Sequence, residues 1–326
     1  MQFRLTFPVT PPDAAIRYED PLLLMGSCFT EEIGRLLQAH QFNTQLNPHG
    51  ILYNPVSITQ ALHAYLDGKV YTEADLFEQD GLWHSWDHHS RFSSPDAAQA
   101  LASINAAQAA ACERIDQLEW VVITLGSAFA YQLRDNGKLV GNCHKVPAGA
   151  FYKKLLTPDE VISALDNAIH RLWFRNRRVK ILFTISPVRY VRDGVVENNM
   201  SKAVLIQAVH HMVNKFDHLY YFPAYELVLD DLRDYRFFKD DLVHPNDTAI
   251  QYVWEQFTRH FLTPESQELL GRIAEINRAR QHRPFHAESA AHRKFLQRYA
   301  VTAKALQQQY PYLSLAEDIR YFEQGS

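Results

Sequence analysis

Four short apolar runs, each stopped by a turn residue and followed by a helical pattern, constrain this chain more than any other feature. They are Leu22-Leu23-Leu24-Met25 before Gly26, Val121 to Leu125 before Gly126, Val179 to Ile185 before Ser186-Pro187, and Leu219-Tyr220-Tyr221-Phe222 before Pro223. A strand that is apolar at every position is buried on both faces, and short turns into helices supply the two covering layers. The pattern predicts a three-layer α/β/α domain with a parallel sheet over about residues 15–262. Apolar spacing places helices at about residues 55–67, 95–117, 157–175, 200–216 and 246–261, the Ala-rich 97–112 stretch most clearly. From 263 to 326 the composition turns to Glu, Gln, Arg, His and Ala with helical spacing and no strand signal. This reads as a C-terminal helical extension beside a 1–262 main domain, packed on that domain or joining two copies into a homo-oligomer.

Charge and composition exclude some functions. Over 326 residues the formal charge is -4, with no basic stripe of the kind nucleic-acid binding requires. The start, Met1 to Pro8, lacks the apolar core of a secretory signal, and no later run is long enough to span a bilayer. A cytoplasmic protein without nucleic-acid or membrane partners is the expectation. Cys28, Cys112 and Cys143 are an odd number far apart, which reads as free thiols.

In an open parallel sheet, ligands gather beyond the carboxyl ends of the strands. Those ends carry Gly26-Ser27-Cys28-Phe29, Gly126-Ser127-Ala128-Phe129 and Ser186-Pro187-Val188-Arg189, and a later loop carries Asp241-Leu242-Val243-His244-Pro245. A serine hydroxyl needs a base to take its proton, and the base needs an acceptor to fix its tautomer. Ser27 leaves a buried strand and enters a helix, where the dipole favours an anionic intermediate; the alternative is that it only caps that helix. Asp241 and His244, three apart, can place a carboxylate on Nδ1 and leave Nε2 free. The alternative there is a solvated charged turn with His244 capping a helix, and Asp240 competes as the orienting acid.

Met25-Gly26-Ser27-Cys28-Phe29 resembles the Gly-Ser-Cys-Phe hallmark of the GSCFA domain family. Asn142-Cys143-His144-Lys145-Val146-Pro147, Ser186-Pro187-Val188-Arg189, Leu232 to Phe237 and Asp241 to Pro245 resemble its other blocks, so the likeness covers most of residues 20–262. It implies membership of the SGNH (GDSL-like) hydrolases: a flavodoxin-like fold, esterase or acyl-transfer chemistry through Ser27, Asp241 and His244, and no cofactor or metal. The SGNH pattern also calls for an oxyanion glycine, for which Gly50 is the candidate, with a simple turn glycine as the alternative. Where its Gly-x-Asn-Asp block is expected the chain has Gly126-Ser127-Ala128-Phe129. Asn142 is the candidate to replace the missing amide, with His144 and Lys145 lining the site. Arg189 either holds an anionic group of the substrate or pairs with Glu226 or Asp230.

Two other readings stay open. His84, Asp87, His88 and His89 lie in one short span and suggest a metal-dependent hydrolase. The neighbouring Trp83, Trp86 and Phe92 instead suit an aromatic flap. With Tyr53 and Tyr131, the two tryptophans also suit a non-catalytic module that stacks on sugar rings. For the esterase, analogy with SGNH enzymes suggests a small ester or an acylated, typically acetylated, carbohydrate.

Overall fold

All four apolar runs are strands of one parallel sheet in the computed structural model, which describes residues 4–324. In chain order the strands are β1 (Leu22–Gly26), β2 (Thr44–Leu46), β3 (Leu76–Gln79), β4 (Leu82–Ser85), β5 (Trp120–Leu125), β6 (Phe129–Leu133), β7 (Leu139–Val140), β8 (Phe151–Leu155), β9 (Lys180–Ile185) and β10 (Leu219–Phe222). The helices are α1 (Cys28–Ala39), α2 (Pro55–Asp67), α3 (Ala97–Arg114), α4 (Pro158–Arg175), α5 (Val195–Lys215), the single turn α6 (Ala224–Glu226), α7 (Asp247–Phe261), α8 (Pro264–Gln281), α9 (Ala290–Gln309) and α10 (Ala316–Gln324). Each of the five helices expected from spacing is present. The main departure is α5, which begins at Val195.

The sheet runs β10-β9-β5-β1-β2, every pair parallel. The chain starts at β1, steps outward to β2, then returns to β5 on the other side and continues to β9 and β10. The order therefore reverses between β1 and β5, which is where doubly wound sheets open a crevice for ligands. Register aligns the strand ends there: Gly26 pairs with Thr124, and Thr124 with Thr184.

Side-chain alternation divides the sheet between two cores. Leu22, Leu24, Trp120, Val122, Leu182 and Phe222 face α1 and α7, while Leu23, Met25, Val121, Ile123, Ile181 and Phe183 face α2, α4 and α5. The first core continues into the C-terminal helices through Leu269, Ile273, Ala303, Leu306 and Phe322. Asn277 Nδ2 donates to Ala39 O at 2.8 Å, and Ser314 N to Gln41 Oε1 at 2.8 Å, so these helices close over the far end of α1. No helix among the described residues is long and apolar enough to cross a membrane.

Three pieces gave no clear strand signal: β2, the hairpin β3–β4, and the antiparallel sheet β7-β6-β8. All are short and half exposed. β8 reads Phe-Tyr-Lys-Lys-Leu, too polar for a core strand.

Candidate active site

The end of β1 is built for close approach. Gly26 has φ +136°, and a Cβ there would lie 2.1 Å from Thr124 O, the carbonyl that also accepts Ser27 N at 3.2 Å. Only glycine lets the two strands meet at this point. Asn47 Oδ1 accepts Gly26 N at 2.9 Å, which fixes the turn from below. Ser27 then occupies the N-cap position of α1 with extended backbone, yet its side chain caps nothing. The residue is 1% exposed, and Oγ is buried without a hydrogen-bond partner among the described residues. A capping role does not account for it, and an orphaned buried hydroxyl calls for an explanation.

Ser27 and His244 line the same cavity, about 310 Å³, at the switch point. The loop before α7 carries the histidine. Asp241 Oδ1 accepts Val243 N at 3.0 Å and His244 N at 2.9 Å, and Oδ2 bonds His244 Nδ1 at 2.7 Å. These backbone amides and the imidazole hold the Asp241 carboxyl down at about 2. Asp240 makes none of these contacts. Asn246, not His244, caps α7, its Oδ1 accepting Ala249 N at 3.1 Å. His244 Nε2 has no protein partner among the described residues. Ser27 and His244 are not hydrogen-bonded to each other in this state. Catalytic hydrogen bonds commonly tighten only when substrate is bound.

The other expected residues separate into two groups. Asn142 and Arg189 line the cavity with Ser27 and His244; Gly50, His144 and Lys145 do not. Gly50 has φ +79° and donates its amide to Asn47 O at 2.7 Å, closing a turn packed on His89. Its N–H is thus engaged within the turn, and Gly50 does not line the cavity. His144 is a buried strut: Nε2 donates to Ser85 O at 2.8 Å, Nδ1 accepts from Ser90 Oγ at 3.2 Å, and burial lowers it to about 4. Lys145 is exposed beyond it. Asn142 Oδ1 accepts His144 N at 2.8 Å, which leaves its Nδ2 end as a donor without a protein acceptor among the described residues. Among the described residues Arg189 forms no ion pair with Glu226 or Asp230; Glu226 instead accepts Tyr221 OH at 2.8 Å.

At the position of the missing asparagine the loop is tied down. Gly126 N and Ser127 N both donate to Tyr53 O, at 2.8 and 2.9 Å, and Ala128 N donates to Ser201 Oγ at 2.7 Å. Beneath it lies a residue that sequence reasoning missed. Lys202 on α5 is 1% exposed, and its Nζ donates to Gly126 O at 2.7 Å and Ser186 O at 2.6 Å, joining the ends of β5 and β9. Burial lowers the amine to about 7; the nearby Cys28 thiol opposes this and Arg189 adds to it. Its position was legible, because Lys202, Leu205, Val209 and Met212 recur at helical spacing on the buried face of α5.

This lysine predicts a pH effect. In the unfolded chain it titrates near 10.4, so between pH 7 and about 10 the unfolded state holds a proton that the folded state has released. Stability therefore rises with pH through this group across that window. Urea midpoints should show wild type gaining on Lys202→Met between pH 7 and about 9.5; a constant difference would mean that the amine keeps its ordinary affinity for protons.

The side chains of the histidine-rich segment are engaged in local contacts. Among the described residues no three His, Cys, Asp or Glu side chains are placed to hold an ion. His84 Nδ1 bonds Ser93 Oγ at 2.6 Å, His88 Nδ1 bonds Ser85 Oγ at 2.9 Å and stacks on His49 at 4.1 Å, and Asp87 pairs with Lys69 and Lys138. The flap is also corrected. Trp86 stacks on Phe77 at 3.7 Å, and neither tryptophan reaches the Ser27 cavity, whose aromatic walls are Tyr53, Phe129, Tyr131 and Tyr190.

Comparison with known families agrees with the Gly-Ser-Cys-Phe turn. The GSCFA family model matches residues 21–257, and that of the GSCFA domain protein, C-terminal domain, matches residues 273–325. The chain belongs to the GSCFA family. No curated protein matches it. Among solved structures it is similar to a carbohydrate esterase family 3 from Talaromyces cellulolyticus, at 13% identity over 78% of this chain and 99% of that one, TM-score 0.32. It is also similar to an acetyl esterase variant with acetate ion (14% identity, 79% and 99%, TM-score 0.32) and to an acetyl xylan esterase from the rumen bacterium Butyrivibrio proteoclasticus (10%, 74% and 63%, TM-score 0.32).

Proposed function

We propose that the chain is a serine esterase of the SGNH type, with Ser27 as nucleophile, His244 as general base and Asp241 as the group that orients it. The observation that carries this reading is an unpartnered buried hydroxyl sharing one cavity with an imidazole whose Nδ1 is held by a carboxylate. Ser27 Oγ attacks the ester carbonyl while His244 Nε2 takes its proton, and the same imidazole returns that proton to the departing alcohol. The resulting acyl-enzyme is released by water along the same route. A cavity of about 310 Å³ suits a small ester, including an acetylated sugar. A fluorophosphonate should label Ser27 and leave Ser27→Ala unlabelled. Unlabelled wild type under conditions where the fold is intact would end the proposal.

Asn142 Nδ2 is the side-chain donor assigned to the oxyanion, in place of the residue whose position Ala128 occupies. Asn142→Ala is expected to lower kcat on 4-nitrophenyl acetate by about a hundredfold, the usual loss for one such donor. A kcat within about threefold of wild type would move the oxyanion site elsewhere while leaving the serine assignment standing.

A further inference from the structure

We infer that the ester taken by this site carries a negative charge, and that Arg189 and Arg192 hold it. The inference rests on the esterase reading and adds the class of substrate.

Among the described residues the cavity that contains Ser27 and His244 is lined by two guanidinium groups and by no carboxylate. This does not reflect general basicity, because the whole chain has a formal charge of -4. Three acids around the cavity are engaged with other groups. Asp193 pairs with Lys153, Glu226 accepts Tyr221 OH, and Asp241 holds His244. Among the described residues neither Arg189 nor Arg192 has an ion-pair partner, although Arg192 is the immediate neighbour of Asp193 in sequence.

The two guanidinium groups set the local field of the cavity. Like charges gathered without counter-charge disfavour the empty site, and a bound anion removes that cost. Guanidinium presents a planar fork that matches a carboxylate or phosphate with two parallel hydrogen bonds, and in a half-enclosed cavity such charge-assisted bonds are strong. Tyr53, Phe129 and Tyr131 supply apolar walls for the rest of a small molecule.

The experiment compares esters matched in size and differing in charge. 4-Nitrophenyl hemisuccinate against 4-nitrophenyl butyrate places the charge on the acyl side; 4-acetoxybenzoate against its methyl ester places it on the alcohol side. In wild type at low ionic strength, kcat/KM for the anionic member of one pair should exceed that of its neutral partner by about tenfold or more. The pair that shows the preference identifies the side. About 0.5 M sodium chloride should reduce the ratio. The double variant Arg189→Gln/Arg192→Gln should bring it to one or below, and Arg189→Lys/Arg192→Lys should keep part of it. Ratios at or below one for both pairs in wild type, or a preference that the double Gln variant retains, would overturn the inference. If wild type cleaves none of these esters and resists fluorophosphonate, the esterase reading has failed. Calorimetric binding of the same pairs to wild type then decides the anion site separately: tighter binding of a charged member sustains it, and equal binding overturns it.

Discussion

Ser27→Ala is expected to lose about a thousandfold or more in ester turnover and to unfold no more easily than wild type, or later by about 1 kcal/mol. The two halves of this result have different causes. Turnover fails because the other hydroxyls and thiols of the cavity are poorly placed to form the acyl-enzyme: burial raises the Cys28 and Cys143 thiols, away from the thiolate that would attack, Ser127 Oγ is engaged with Ser201, and Ser186 Oγ accepts Val188 N. Stability is kept because Ser27 Oγ is buried with no partner among the described residues, and a hydroxyl in that state costs about 1–3 kcal/mol that alanine does not incur. A serine that served only to cap α1 would behave in the opposite way, costing about 1 kcal/mol when lost. His244→Ala should also lose nearly all turnover, and Ser27→Ala/His244→Ala little more, since the members of such a unit do not add. Asp241→Asn should retain somewhat more. The Asp241 carboxyl is held at about 2, so it is ionised throughout the range in which activity is measured, and protonation of Asp241 does not set any loss of rate between pH 4 and 7. Burst kinetics with a nitrophenyl ester and urea unfolding of the same samples test both halves together.

Gly26→Ala is the second large effect, and it acts on the fold. A Cβ at residue 26 would stand 2.1 Å from Thr124 O and 2.9 Å from Thr124 C, both backbone atoms in the middle of the sheet, at a φ of +136°. Neither strand can move aside, because β1 and β5 are held by five register pairs and buried on both faces. Overpacking and backbone strain together should cost about 3–5 kcal/mol. Gly68→Ala is the control. Gly68 also has a positive φ, +61°, but no atom lies within 4 Å of its added Cβ, so only the conformational cost of about 1–2 kcal/mol applies. Urea midpoints of the two variants should differ clearly; equal midpoints would mean that the sheet opens at Ser27 at little cost.

The sheet was readable because burial on both faces leaves runs such as Leu22–Met25 and Val121–Leu125 no polar positions, a signal that no loop imitates. The walls of the cavity were not. Phe129, Tyr131 and Tyr190 sit on short, half-exposed elements, where aromatic residues look alike whether they face solvent, a flap or a ligand. Trp86 and His144 show the same difficulty from the other side: residue types suited to a site turned out to hold a loop against Phe77 and Ser85. Asp241 and His244 were easier, because a contact three residues apart needs only local geometry, whereas the contact of Lys202 with Gly126 spans 76 residues.

The core beside α1 joins Ile16 and Phe322 in one cluster. During synthesis at about 5–20 residues per second, the last strand of the sheet, ending at Phe222, is complete some 5–20 seconds before Phe322 is added. Throughout that interval the far end of α1 lacks the cover of the C-terminal helices, and the apolar residues that face them stay in contact with water.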